Sequence, residues 1–359
     1  MKRTMRAMIL KKTMPIESEP LELVELPVPE PGPGEILVRV TMCGLCHTDL
    51  HIVEGDLPLP VLPIVPGHQI VGIVERAGPG AGSPRAKERA AAGIPSPRVG
   101  ARVGAAWLHS SCGTCSFCKR GLENLCENAR FTGYHRNGGY AEYAVLPADF
   151  VYALPEGFSD RAAAPLLCAG VVGYRALKLS GVKPGETLGL YGFGASAHVA
   201  IQVAVHWGCR VLVFTRSENH RRHAKKLGAA WAGTSKDRPP QKPASSVVFA
   251  PAGEIVLDAL REVERGGTVA LAGVTMTNVP EMNYERHLYY EKVLRSVTAS
   301  TREDGRELMR LAAEIPIHTD TTLFPLEDAN RALRLIKESR ISGAAVLEIA
   351  SRANPAEAI

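Results

Sequence analysis

The stretch Glu186-Thr-Leu-Gly-Leu-Tyr191 runs directly into Gly192-Phe193-Gly194-Ala195-Ser196-Ala197, and the reading of this junction decides the fold. The first six residues are largely apolar and read as a buried strand. Behind the glycines, Ala197, Ala200, Ile201 and Ala204 recur at i, i+3, i+4 and i+7, the period of one helix face. Arg210-Val-Leu-Val-Phe-Thr215 supplies a second strand. Strand, Gly-x-Gly-x-x-Ala turn, helix and strand, in that order, form an arrangement that binds dinucleotides. Gly192 makes the tight turn, Gly194 lets the backbone approach a pyrophosphate, and Ala197 is small enough to seat helix against strand. Ala195 and Ser196 then open a helix whose N-terminus faces the phosphates.

The end of the second strand selects the cofactor. An Asp or Glu there would hold the adenosine ribose of NAD and repel the 2′-phosphate of NADP. Here Thr215 and Arg216 stand at that point, with Arg221, Arg222, Lys225 and Lys226 close behind. A hydroxyl beside a guanidinium suits a phosphate, so NADP is expected ahead of NAD. The competing reading is a basic helix face that only meets solvent.

Half of the eight cysteines fall in one short loop, Cys112-x2-Cys115-x2-Cys118-x7-Cys126. Tetrahedral zinc accepts four thiolates at about 2.3 Å, and short spacers let a single loop provide them. A structural zinc is expected there, and its four protein ligands leave no room for substrate. Cys43, Cys46, Cys168 and Cys209 remain. Cys43-x-x-Cys46 has the spacing of a redox pair, but Leu37-Val-Arg-Val-Thr-Met-Cys43 reads as a strand entering a turn and not a helix N-terminus. Cys43 and Cys209 are therefore assigned to packing. Cys46, His68 in Pro66-Gly67-His68-Gln69, and Cys168 in Leu167-Cys168-Ala169-Gly170 make a Cys2His set, which leaves one zinc position open. Singly, His68 reads as a hydrogen-bonded loop residue and Cys168 as a buried apolar one.

Gly44-Leu45-Cys46-His47-Thr48-Asp49, Gly67-His68, the four-cysteine loop and Leu167-Cys168-Ala-Gly170 together resemble the zinc-dependent alcohol dehydrogenases of the medium-chain dehydrogenase/reductase family. Cys2His is the catalytic ligand set known for alcohol dehydrogenases. The resemblance runs from Arg6 to about Ile349. It implies an α/β plus β fold: a GroES-like β-barrel catalytic domain and a Rossmann doubly wound parallel-sheet cofactor domain. It also implies a catalytic zinc on Cys46, His68 and Cys168, hence two zinc ions per chain. By the same resemblance Thr48 and His51 relay a proton to solvent, His47 contacts the cofactor pyrophosphate, and Asp49 orients a ligating imidazole. Trp107 would form an aromatic wall of the substrate pocket. Leu57, where relatives often carry Trp, would widen that pocket toward bulky or aromatic substrates. The activity implied is hydride transfer between a primary or secondary alcohol, or an aldehyde or ketone, and a nicotinamide cofactor. The alternative is a catalytically silent zinc- and nucleotide-binding protein of the same fold. A homo-oligomer, dimer or tetramer, is expected by analogy.

Three features depart from the family pattern. Gln69 replaces the Glu that usually follows the histidine, which leaves the zinc more electropositive. Ala344 stands where relatives carry an Arg on the cofactor, and Ala195-Ser196 replaces Gly-Leu in the nucleotide turn.

The texture of the chain agrees with two domains. Residues 1–160 are rich in Pro and Gly with short runs such as Glu35-Ile-Leu-Val-Arg-Val40 and Ile70-Val-Gly-Ile-Val-Glu75, as in an all-β domain. Over 161–299 helices and apolar strands alternate, among them Val269-Ala-Leu-Ala-Gly273, as in a parallel sheet. From 300 to 359 a helix (303–315) and a strand (344–349) return to the first domain, as the resemblance implies. Gly82 to Pro97 reads as an inserted surface loop. A net charge of +5 over 359 residues gives no reason to expect a nucleic-acid partner. No apolar run reaches the roughly 18 residues of a membrane span, and the N-terminus lacks the apolar core of a secretory signal. Metal-type cysteine spacing without such a signal points to the reducing cytoplasm.

Overall fold

The computed structural model describes residues 3–81, 97–341 and 343–349, and the chain divides into two units. The first comprises 1–168, 301–313 and 319–359; the second comprises 169–300 and 314–318. The boundaries expected at 160 and 299 therefore shift. Residues 161–168 stay with the first unit because the helix Asp160–Ala163 is anchored to its sheet. There the Thr41 hydroxyl donates to Asp160 Oδ2 at 2.7 Å and Arg102 Nε to Asp160 Oδ1 at 2.7 Å. Residues 314–318 join the second unit, where Gln202 exchanges two hydrogen bonds with the His318 backbone. Of the expected surface loop, residues 82–96 lie outside the described residues.

The first unit is built on a seven-stranded sheet. Its order is Thr321–Pro325, Ala344–Glu348, Glu35–Leu45, Gln69–Ala77, Arg102–Ala105 and Val151–Ala153, with Tyr143–Pro147 pairing the start of Glu35–Leu45. Ile36, Leu37, Val38, Val40 and Cys43 of the long central strand are all fully buried. The strand expected at 35–40 thus continues to Leu45, because apolar residues and close strand neighbours persist that far. Ala345 lies opposite Leu45, so the chain's last described strand braces the approach to Cys46. The helix Arg302–Glu314 is tied to this unit by Arg302, whose Nε donates to Glu123 Oε1 at 3.0 Å.

The second unit holds a six-stranded, wholly parallel sheet. Its order is Trp231–Gly233, Arg210–Phe214, Thr187–Tyr191, Ser245–Val248, Thr268–Leu271 and Val293–Ser296. Numbered along the chain this is 3-2-1-4-5-6, the doubly wound order with its switch point beside Thr187–Tyr191. Helices Ala169–Ser180 and Ala195–His206 pack closely, and Gly173 permits it: a Cβ there would lie 2.7 Å from the Ser196 carbonyl oxygen. Among the described residues no single helix is long and apolar enough to cross a membrane.

Candidate metal centre and nucleotide-binding turn

Cys46 ends the central strand and is the N-cap of the helix His47–Glu54. Its backbone N–H donates to Asp49 Oδ2 at 2.9 Å, while its sulfur faces the N–H of Asp49, a capping box with a thiol in the place of a hydroxyl. The sequence reading expected a turn here and no helix N-terminus, so that expectation is corrected. Cys43, by contrast, is fully buried within the strand, and Cys209 is also buried.

His68 enters from a loop pressed against a glycine-rich strip. Gly138, Gly139 and Tyr140 donate backbone hydrogen bonds to Val65, Gly67 and Pro66 at 2.7, 2.9 and 3.0 Å. A Cβ on Gly138 would sit 2.0 Å from the Gly67 carbonyl oxygen, so glycine is required for that approach. Cys168 lies between the 3₁₀ turn Ala164–Leu167 and the helix Ala169–Ser180.

These three residues, far apart in sequence, converge. Cys46 Sγ is 3.5 Å from His68 Nε2 and 3.8 Å from Cys168 Sγ, and all three donor atoms lie within 4.8 Å of one another. A tetrahedron with bonds of about 2.3 Å to sulfur and about 2.0–2.1 Å to nitrogen has edges of about 3.8 Å (S–S) and about 3.5–3.6 Å (S–N). The donor set therefore fits zinc with three protein ligands.

The surroundings prepare these donors. Asp49 Oδ1 lies 3.1 Å from His68 Nδ1, both side chains being buried, so Nε2 is the ring nitrogen left for a metal. A hydrogen bond with Cys168 holds the Cys46 thiol well below its usual range, against the burial that would raise it. Burial opposes charge on His68, yet Asp49 and Cys46 carry its imidazole up to about 10. A cation bound here would displace those protons and take over the compensation of a buried thiolate.

Thr48 is buried next to Cys46, where its side chain favours the thiolate. His51 lies on the same helix, its Nδ1 2.7 Å from Asp56 Oδ2. His47 is exposed in the first helical turn. Trp107 meets His68 edge-on at 5.0 Å, stacks on Phe131 at 5.0 Å and tilts toward Tyr134 at 5.7 Å. Leu57 is half-buried against the same core. Gln69 is buried against Gly44, where a Cβ would come within 2.6 Å of its Oε1, and its Nε2 has no hydrogen-bond partner among the described residues. Phe131, Tyr134 and Asp56 were not found in the sequence, since nothing local distinguishes them.

Cys112, Cys115, Cys118 and Cys126 form a second cluster with sulfurs mutually within 4.8 Å. Cys112 and Cys118 are 3.9 Å apart, again close to a tetrahedral edge. Backbone N–H groups of Cys112, Cys115 and Cys118 point at neighbouring sulfurs, a pattern that stabilises thiolates. The cluster rests on Leu108 and Ala129, with Phe131 and Phe150 alongside.

In the second unit, Gly192 has φ +86 and leads from the strand into Gly194, the N-cap of Ala195–His206. No side chain caps this helix, so its first N–H groups remain available to an anion. Thr215 is buried at the end of the next strand and Arg216 is exposed. Arg221, read from sequence as a cofactor contact, donates to the carbonyls of Thr215 and Arg216 at 3.0 and 2.9 Å and to Glu218 at 3.1 Å. It shapes the turn that presents Arg216.

Comparison with known proteins agrees with this architecture. The family model for the alcohol dehydrogenase GroES-like domain matches residues 32–156, and that for zinc-binding dehydrogenase matches 197–314. A Mycobacterium tuberculosis protein named "Probable alcohol dehydrogenase AdhA" is 47% identical over 346 residues, covering 96% of this chain and 98% of that one. An alcohol dehydrogenase of Geobacillus stearothermophilus is 36% identical over 340 residues, covering 92% and 97%. Among solved structures, a cobalt- and zinc-bound thermostable alcohol dehydrogenase from Pyrobaculum aerophilum superposes with a TM-score of 0.82 at 26% identity, covering 96% and 100%. A GroES-like unit carrying a Cys2His cluster and a four-cysteine loop, followed by a doubly wound nucleotide-binding unit, places this chain among the zinc-dependent alcohol dehydrogenases of the medium-chain dehydrogenase/reductase family.

Proposed function

We propose that the chain binds two zinc ions and interconverts alcohols with aldehydes or ketones, using NADP in preference to NAD. The observation that carries this reading is the match between the Cys46–His68 and Cys46–Cys168 separations and two edges of a zinc tetrahedron, with all three donors within 4.8 Å of one another. A zinc held by these three residues would supply Lewis acidity toward an alcohol oxygen, and a nicotinamide cofactor would supply the hydride acceptor or donor.

The chain's own residues do the rest. Asp49 fixes the His68 ring and its tautomer. Thr48 offers a buried hydroxyl next to the metal donors, and His51, steadied by Asp56, passes the proton outward. Trp107 screens one side of the site from water. Leu57 leaves space that a larger residue would fill, which favours bulky or benzylic alcohols. Cys112, Cys115, Cys118 and Cys126 hold the second zinc for structure alone. In the nucleotide unit, the glycine turn is the place for the pyrophosphate. Thr215 and Arg216 receive the 2′-phosphate, which selects NADP.

The test combines metal analysis with initial rates. Two zinc ions per chain are expected, with NADPH-dependent reduction of an aldehyde panel that favours aromatic members. Cys168→Ala should drop the zinc count to one and abolish turnover while circular dichroism stays native. Full activity in that variant would refute the assignment. One zinc, tight nucleotide binding and no turnover in the wild type would instead favour the catalytically silent reading.

A further inference from the structure

The loop that follows the helix His47–Glu54 is held at three points. Gly55 and Leu57 donate backbone hydrogen bonds to the His51 carbonyl at 3.1 and 3.3 Å, and Asp56 pairs with the His51 ring. The third point comes from a distant turn: the Tyr134 hydroxyl donates to the Pro58 carbonyl at 2.6 Å, across 76 residues of sequence. Tyr134 is also part of the aromatic cluster, against Trp107 at 5.7 Å and edge-on to His135 at 4.7 Å. Its turn is seated firmly. Gly133 donates to the Arg136 carbonyl at 2.7 Å, and a Cβ on Gly133 would lie 2.7 Å from the backbone nitrogen of Gly67. One side of this turn thus presses on the residue before His68, while its tyrosine reaches the loop carrying Leu57.

We propose that Tyr134 is a positioning residue that straps the Gly55–Pro58 loop to the aromatic cluster and thereby sets the affinity for bulky, aromatic alcohols. The proposal rests on the alcohol dehydrogenase reading for its substrate class but on the Tyr134–Pro58 bond for its geometry. Leu57 adjoins Pro58 at one end of this bond and Trp107 packs on Tyr134 at the other, so the bond couples the loop carrying Leu57 to the ring of Trp107. A two-carbon alcohol makes little contact with either side chain. A benzylic ring needs both at van der Waals distance, where a gap of a fraction of an ångström already forfeits much of the contact energy. The contacts of Tyr134 are with Pro58, Trp107 and His135, none of them a metal donor, so its loss should leave the metal centre intact.

The experiment is Tyr134→Phe, which keeps the ring and removes the donor. Hydrogen exchange of the segment 55–62 should accelerate in the variant. The KM for benzyl alcohol should rise about three- to tenfold, the loss expected for one hydrogen bond. The KM for ethanol, the KM for cofactor, kcat at saturation and bound zinc should stay unchanged. Unaltered exchange in 55–62 would overturn the strap. Faster exchange with benzyl alcohol and ethanol affected equally would overturn its role in specificity. A zinc-loaded wild type that oxidises neither alcohol would defeat the dehydrogenase reading, and the exchange measurement would still decide the strap.

Discussion

The Asp49 carboxylate lies 3.1 Å from Nδ1 of His68, and its other oxygen accepts the N–H of Cys46 at 2.9 Å, so one buried side chain orients two of the three candidate zinc ligands. Asp49→Asn keeps the shape but removes the charge. We expect zinc affinity or turnover to fall about 10- to 100-fold, the usual cost of losing such an outer partner. Zinc retained per chain after dialysis against a chelator, with kcat measured in parallel, checks this. Wild-type retention and rate would show that backbone packing alone holds the ligands.

The four-cysteine loop has a different role, and Cys115→Ser separates it from catalysis. The variant should bind one zinc instead of two and unfold at a markedly lower temperature, since a zinc-ordered loop has little apolar core of its own. Residual activity at low temperature should persist. The measurement is metal content together with a thermal melt.

The proposed preference for NADP assigns cofactor choice to Arg216. Arg216→Asp places a carboxylate where a ribose diol would be held and a phosphate repelled. The ratio of kcat/KM for NADPH to that for NADH should fall by at least about tenfold, roughly 1.4 kcal/mol of altered discrimination. Arg221→Ala should weaken both cofactors, because that guanidinium holds the 215–216 carbonyls. An unchanged ratio in Arg216→Asp would place the discrimination elsewhere.

His109 gives the chain an acid-sensitive point outside the metal centres. Burial, with help from the charge of Arg136, lowers its imidazole to about 4. The unfolded side chain titrates near about 6.5, so on acidification the unfolded state takes up the proton first. Stability from this residue is therefore full above about pH 6.5 and drains away down to about pH 4. His109→Phe should reduce the loss of unfolding free energy between pH 7.5 and 4.5 by about 2 kcal/mol. Urea titrations of both proteins at the two pH values provide the check.

The features legible in the sequence are those whose chemistry forces particular residue types. Gly192 and Gly194 are needed by backbone geometry, and the four cysteines by coordination, so each leaves a local fingerprint. The helix starting at His47 was missed because a cysteine caps it and the apolar strand pattern persists to Leu45. The sequence shows the charge of Arg221 but not that its guanidinium holds the carbonyls of Thr215 and Arg216. Tyr134 and Asp56 left no trace at all. Their partners are chosen by loop packing, and the Tyr134–Pro58 bond spans a separation no periodicity reports.

The two clusters of metal donors differ greatly in reach along the chain. Cys112 and Cys126 are 14 positions apart, whereas Cys46 and Cys168 are separated by 122. Closing a short loop costs less entropy and happens sooner than closing a long one. As the polypeptide leaves the ribosome, a metal proposed for the four-cysteine loop could therefore be captured early. A metal on Cys46, His68 and Cys168 would have to wait until Cys168 has emerged, and its site is braced in full only when the late strand Ala344–Glu348 pairs with Glu35–Leu45.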